Sequence, residues 1–452
     1  EVFSEKGGFD IVLGNPPYIQ LQKDGGLLAD LYSNQAYETF NRMGDIYCLF
    51  YELGHRLLRQ GGHLCFITSN KWMRAGYGVQ LRRFFAEKTN PVLLIDFAGK
   101  KLFESVTVDN NILLYQKSPN AKACRTLAVS EGFDHRSGLA EYLEANLVVK
   151  SNFVSADTWV ISSGIEEEIR RKIEAKGTPL GEWDINIYYG IKTGFNDAFI
   201  VDGATKDRLI REDPKSAEIL KPILRGRDIK RYQAEFTDLW LIYVPWHFPL
   251  HEDPTIQGAS RKAEDAFRNQ YPAIYQHLLK HKDKLSNRNK AETGKIYEWY
   301  ALQRAAATYY EEFEKEKIMY SEIVREQQFF FDNSGFYPEA TTFIITGSSL
   351  KYLIALLNSD FVTWAFKKFY AGGGLGKEGF RYKKQFLNLL PLIQIDASDQ
   401  KPFTKLVDQI IKSTNTNNFV VEDEKTITIG VQEAQINHWV YKLYGLTDME
   451  RD

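Results

Sequence analysis

An apolar hexapeptide, Phe9-Asp-Ile-Val-Leu-Gly14, runs straight into Asn15-Pro16-Pro17-Tyr18, and the two prolines forbid its continuation as a ladder strand. A short apolar run closed by Gly and Pro reads as a strand buried on both faces of a parallel sheet. The alternation then repeats. Asp45 is placed to cap a helix through Ile46, Leu49, Phe50, Leu53, Leu57 and Leu58, with a stop expected at Gly61-Gly62. His63 to Ser69 reads as a second strand, Val79 to Glu87 as a helix, Val92 to Phe97 as a third strand, and Asn111 to Gln116 as one more reached through a loop. Strand, helix, strand in this order implies right-handed βαβ units. An apolar central strand so near residue 1 predicts that the other half of the sheet lies upstream, or comes from a partner subunit.

The remainder has a different texture. Residues 121–180 are weakly periodic and read as a connecting segment with a helix near Glu166 to Glu174. Residues 181–395 alternate short aromatic strands (Trp240 to Val244, Phe329 to Asp332, Thr342 to Ile345) with polar helices such as Asp265 to His281, an α+β pattern. Residues 396–452 read as a helical tail with two amphipathic stripes, one through Phe403, Leu406, Val407, Ile410 and Ile411 and one over Val431 to Leu443. The expected fold class is therefore α/β: over residues 1–120, the C-terminal half of a Rossmann-like sheet, followed by an α+β domain and the tail.

Charge and cysteine content narrow the function classes. Lys and Arg number 57 against 59 Asp and Glu, so no global basic field draws in nucleic acid, and any such partner is held by local patches. Three cysteines without a C-x-x-C pair suggest a reducing, cytoplasmic setting and no structural zinc. No apolar run reaches the roughly 18 residues that a membrane helix needs.

Asn15-Pro16-Pro17-Tyr18 at the carboxyl end of a parallel strand, where open α/β sheets place their ligands, resembles the signature of the amino-methylating DNA methyltransferases. The chemistry of that family accounts for the residue types. An exocyclic amine conjugated to a ring is a poor nucleophile, and it improves when both N–H groups are held by acceptors that push the nitrogen toward a tetrahedral geometry. The Asn15 side-chain oxygen and the Pro16 carbonyl are suited to be those acceptors, and Pro17 keeps the backbone open to substrate. Tyr18 offers a stacking face for a flipped base. The resemblance gives Phe103 the opposite face of that base, against the plain alternative of a core Phe, and makes Asn70 and Lys71 a second pocket-lining motif. Asn70 equally suits a helix cap.

Downstream, Gly190-Ile-Lys-Thr-Gly-Phe-Asn-Asp-Ala-Phe199, Lys221-Pro-Ile-Leu-Arg-Gly-Arg-Asp-Ile229 and Tyr441-Lys-Leu-Tyr-Gly-Leu446 resemble the TaqI-like recognition domain and tail of type II restriction-modification methyltransferases, including fused type IIG enzymes. That resemblance implies double-stranded DNA as partner and S-adenosylmethionine as methyl donor for adenine N6. The family's glycine-rich cofactor loop belongs upstream of Asn15 and is not in this sequence, so the stretch alone is expected to bind no S-adenosylmethionine and to be inactive. Any fused endonuclease would also lie upstream. Basic clusters supply candidate DNA contacts: Arg225, Arg227 and Lys230; Lys284 and Arg288; Lys377, Arg381 and Lys383. Tyr232, Phe369, Tyr370, Phe380 and Tyr382 interleave with them. Two other readings remain: a specificity module for a separate catalytic subunit, and a methyltransferase acting on RNA or on a protein glutamine.

Overall fold

The computed structural model describes residues 2–97, 109–129, 141–143, 149–151, 153–161, 164–256, 258–288, 297–306, 308–371, 379–415 and 422–451. The chain divides into two compact units, the first made of residues 1–176, 364–381 and 444–452, the second of residues 177–363 and 382–443.

In the first unit six of the described strands form one sheet. They are β1 (Phe9–Gly14), β2 (Leu58–Ser69), β3 (Asn90–Asp96), β4 (Asn110–Gln116), β5 (Cys124–Ala128) and β6 (Val149–Ser151), in spatial order β1-β2-β4-β3-β5-β6. β1 runs parallel to β2 and β3 parallel to β5, while β4 is antiparallel to both of its neighbours. The helices α1 (Tyr47–Leu57) and α2 (Val79–Lys88) complete the alternation read from the sequence. The expected α/β sheet is present. The core gathers Tyr47, Tyr51, Leu64, Phe66, Trp72, Phe85, Leu94, Leu113, Tyr115 and Trp159. Two of its aromatic pairs meet edge to face, Tyr51 and Phe85 with centroids 4.9 Å apart and Trp72 and Phe85 with centroids 5.1 Å apart.

Two details depart from the sequence reading. β1 is a sheet edge among the described residues, so Ile11 and Leu13 are 61% and 73% exposed instead of buried on both faces. The first helix does not run on to Gly61-Gly62. It ends at Leu57 and passes into β2 with no intervening residue, and Gly61 instead takes a positive φ of 78° where the register of β1 on β2 shifts. The first unit also holds α3 (Gly164–Lys176).

The second unit holds two four-stranded, antiparallel-rich sheets beside shorter two-stranded ladders. The strands of the two larger sheets are β7 (Ile185–Tyr189), β8 (Ile200–Asp202), β9 (Leu220–Leu224), β10 (Leu239–Ile242), β11 (Lys317–Ser321), β12 (Phe329–Asp332), β13 (Tyr337–Pro338) and β14 (Thr342–Gly347). One sheet has the order β12-β11-β14-β7 and the other β13-β9-β10-β8. The helix expected over Asp265 to His281 is two helices, α4 (Arg261–Gln270) and α5 (Pro272–Leu279), because Pro272 lacks the N–H that would continue α4 and instead opens α5. The tail contains α6 (Ala397–Asn415) and α7 (Glu422–Tyr444). Among the described residues, no helix is long and apolar enough to cross a membrane.

Lys317 on β11 and Asp332 on β12 stand opposite each other, fully buried, with Nζ 2.5 Å from Oδ2. The pair is completed by the Phe313 carbonyl, which accepts from Lys317, and by the Ser334 and Phe336 N–H groups, which donate to Asp332. Removing one partner leaves the other charge buried and unpaired. Asp332→Ala is therefore expected to destabilise the second unit by about 3–5 kcal/mol in denaturant unfolding; a loss below about 1 kcal/mol would show that the ammonium finds water.

Candidate active site and nucleic-acid face

Strand register brings distant residues to one edge of the first sheet. Gly14 pairs with Phe66 in the parallel β1–β2 ladder, Ser69 pairs with Asn110 across β2–β4, and Asp96 pairs with Asn111 across β3–β4. The carboxyl ends of three strands and the first residues of β4 thus converge. Asn15, Asn70, Asp96 and Asn110 all stand there.

The Asn-Pro-Pro-Tyr turn leaves β1 with Asn15 and Pro17 exposed, Pro16 buried and Tyr18 half-buried. The Tyr18 ring sits edge-on to Tyr47, centroids 6.2 Å apart. Its hydroxyl donates to Asn15 Oδ1 at 3.1 Å and accepts from Asn110 Nδ2 at 3.0 Å. Burial raises the Tyr18 pKa, and the Asn110 hydrogen bond works against that rise. Behind the turn, the Asp45 carboxylate accepts from the Ile19 N–H at 2.9 Å, while the Ile19 carbonyl accepts from the Ile46 N–H at 2.9 Å. Asp45 therefore ties the residue after Tyr18 to the start of α1.

Asn70 opens a short 3₁₀ turn, Asn70–Met73, whose cap is Ser69: the Ser69 hydroxyl accepts from the Lys71 N–H at 3.4 Å. The Asn70 side chain itself donates to Asp96 Oδ1 at 2.8 Å. Lys71 lines a cavity of about 290 Å³ together with Tyr18, Lys23, Asp45, Ser69 and Tyr77. Asn15 and Pro16 stand outside that lining. Phe103 lies outside the described residues.

Burial moves the Asp45 carboxyl from its ordinary 3.8 up to about 6, against the pull of the Ile19, Tyr47 and Ile46 N–H groups and of Lys71. A carboxyl with a raised native pKa holds its proton more tightly folded than unfolded. Its stabilising contribution is complete below about pH 4 and is lost as pH rises through about 6. In urea titrations, the unfolding free energy of Asp45→Asn should therefore gain relative to the unsubstituted protein between pH 4 and 6. A difference that stays constant over that window would mean that Asp45 titrates normally.

The basic residues fare unevenly. Arg288 is a correction: it is 8% exposed, and its guanidinium donates to the carbonyls of Leu285, Thr193, Trp299 and Ala301, so it is a core cross-link and not a DNA contact. Arg225 is held bidentate by Asp228 at 2.8 Å through each arm and also reaches Thr237. Lys230 donates to the Arg227 carbonyl at 3.1 Å. Lys383 lies 3.9 Å from Glu322. Arg227 and Lys284 are exposed, with the Lys284 ammonium 5.0 Å above the Phe195 ring. Arg381 is half-buried, and Lys377 lies outside the described residues. Tyr232, Phe369 and Tyr382 are buried, so these three aromatics pack the core and offer no stacking face.

Sequence reasoning missed Asn110. The signal was present: two asparagines, poor strand formers, head the apolar run of β4.

A proline-rich turn at the carboxyl end of a parallel strand stands where open α/β sheets bind their ligands. The comparisons are specific. Residues 1–103 match the Eco57I restriction-modification methylase family, and residues 221–392 match the TaqI-like C-terminal specificity domain. The two matches follow one another along the chain, the methylase family first and the specificity domain after it. Its relatives include the Type II methyltransferase M.PaeR7I of Pseudomonas aeruginosa, 24% identical over 99% of this chain and 72% of the relative. The Type II methyltransferase M.BstVI of Geobacillus stearothermophilus is also 24% identical, over 89% of this chain and 70% of the relative. The Type II restriction enzyme and methyltransferase RM.Eco57I of Escherichia coli is 22% identical over 98% of this chain but only 47% of its own length. Among solved structures, the Type IIL restriction-modification enzyme MmeI in complex with DNA shares the fold at a TM-score of 0.59 and 16% identity, covering 98% of this chain and 55% of that one. The chain spans about half the length of these two larger enzymes.

Proposed function

We propose that this chain is the base-holding and DNA-reading portion of a site-specific DNA methyltransferase of a restriction-modification system, acting on adenine N6. The observation that carries the reading is the Asn-Pro-Pro-Tyr turn at the carboxyl end of β1, beside Lys71, Asp45 and the cavity they line with Tyr18. The Asn15 oxygen and the Pro16 carbonyl accept from the two N–H groups of the amine, which concentrates its lone pair for attack. The Tyr18 ring covers one face of the extruded base. The TaqI-like specificity domain favours a DNA duplex over RNA or a protein glutamine. A restriction-modification system works on the cell's own DNA, which puts the protein in the cytoplasm.

The methyl donor that the family implies is S-adenosylmethionine. The turn leaving β1 is Asn15-Pro16-Pro17-Tyr18 and the one leaving β2 is Asn70-Lys71-Trp72-Met73. Neither is the glycine-rich strand-to-helix turn in which such sheets cradle a nucleoside cofactor. These residues do not fit the cofactor, and none of them is assigned to it.

Asn15→Ala in the intact protein should lower methyl transfer to duplex DNA on the order of 100-fold, the effect of removing one preorganised polar partner, while DNA affinity changes far less. Near-normal turnover would reduce the motif to a turn. For the nucleic-acid face, Arg227→Ala and Lys284→Ala should each weaken binding to cognate and scrambled duplexes alike and flatten the salt dependence by roughly one unit. An unchanged salt slope in both would move the DNA footprint elsewhere.

A further inference from the structure

The hydrogen bonds around Tyr18 have a fixed polarity. Asn110 is buried at the head of β4, and the same side-chain atom that reaches the Tyr18 hydroxyl also faces the Thr68 carbonyl, at 3.5 Å. A carbonyl only accepts, so that atom is the amide nitrogen and Tyr18 receives its hydrogen. The tyrosine proton is then free to point elsewhere. It has two acceptors in reach, Asn15 Oδ1 at 3.1 Å and the Ile67 carbonyl at 3.5 Å, and the nearer is Asn15. Among the described residues, Tyr18 is the one hydrogen-bond partner of the Asn15 side chain.

We infer that Asn110 is a positioning residue that acts through the Tyr18 hydroxyl to keep the oxygen end of the Asn15 carboxamide turned toward the reacting amine. The inference rests on the proposed base-holding role of Asn15. The two ends of a carboxamide are nearly the same size, and only their hydrogen bonds tell them apart. Without the chain, the carboxamide of an exposed Asn15 is free to rotate by half a turn and present its own N–H groups to the N–H groups of the substrate. A donor then faces a donor, and the acceptor that sharpens the nitrogen lone pair is lost. The pairing of Ser69 with Asn110 holds the start of the chain on the rigid β2–β4 ladder.

The test is steady-state methylation of duplex DNA by the intact protein carrying Tyr18→Phe, Asn110→Asp, or both. Tyr18→Phe keeps the ring and deletes the hydroxyl. Asn110→Asp reverses the polarity, because a carboxylate accepts the tyrosine proton and draws it away from Asn15. Each change should lower kcat roughly 10-fold or more, within what misplacing a reacting group costs, with KM for DNA altered less than about 2-fold. The double variant should be no slower than Tyr18→Phe alone. Full kcat in Asn110→Asp overturns the inference, as does an equal further loss when it is added to Tyr18→Phe, since that loss would come from packing. If the unsubstituted intact protein binds S-adenosylmethionine yet transfers no methyl group, the reading of the site fails instead and takes this inference with it.

Discussion

The insertion of β4 between β2 and β3 is the constraint on which the first unit depends. A sheet built from βαβ units alone would align only carboxyl ends at its upper edge. One antiparallel strand brings an amino end there, and with it Asn110. The side chains that meet at this edge come from residues 15 to 18, 69 to 71, 96 and 110, and the ladder hydrogen bonds fix their spacing. The aromatic core beneath, around Trp72, Phe85 and Trp159, gives the edge a rigid floor.

Much of the fold was legible because periodicity reports burial. The strands at Phe9, Val92 and Asn111 and the helix at Val79 match the structure to within a few residues. The misread features were those that depend on neighbours. Ile11 and Leu13 look like core residues, yet their exposure is decided by what lies beside β1. The spatial order of β3 and β4 carries no local signal, so the asparagines that head β4 stand out in the sequence without showing that one of them reaches Tyr18. The split at Pro272 was legible in principle, since a proline in a helical stretch is a written interruption.

The basic clusters teach a related lesson about charge. Lys221 and Arg231 flank the first of these clusters in the sequence, and Lys383 belongs to the last. In space, Lys221 lies 3.2 Å from Glu314, Arg231 lies 3.0 Å from Glu433, and Lys383 is near Glu322. Among the described residues, Arg288 is held by four carbonyls and by no acid. Local charge density along the sequence therefore overstates the positive surface, and among the described candidates exposure separates Arg227 and Lys284 from the others.

The direct passage from α1 into β2 has a consequence for how this protein tolerates change in length. From His63 to Ser69, β2 is registered on β4, and from His63 to Phe66 on β1 as well, so the segment is flanked by committed hydrogen bonds. A single inserted or deleted residue there would turn every later side chain of the strand to the opposite face. Leu64 and Phe66 would leave the core, and Ser69 would no longer face Asn110. The junction at Leu57 and Leu58 has no loop in which to hide the change. A change of length is therefore expected to be tolerated only outside this segment, and the interval from His63 to Ser69 behaves as a molecular ruler.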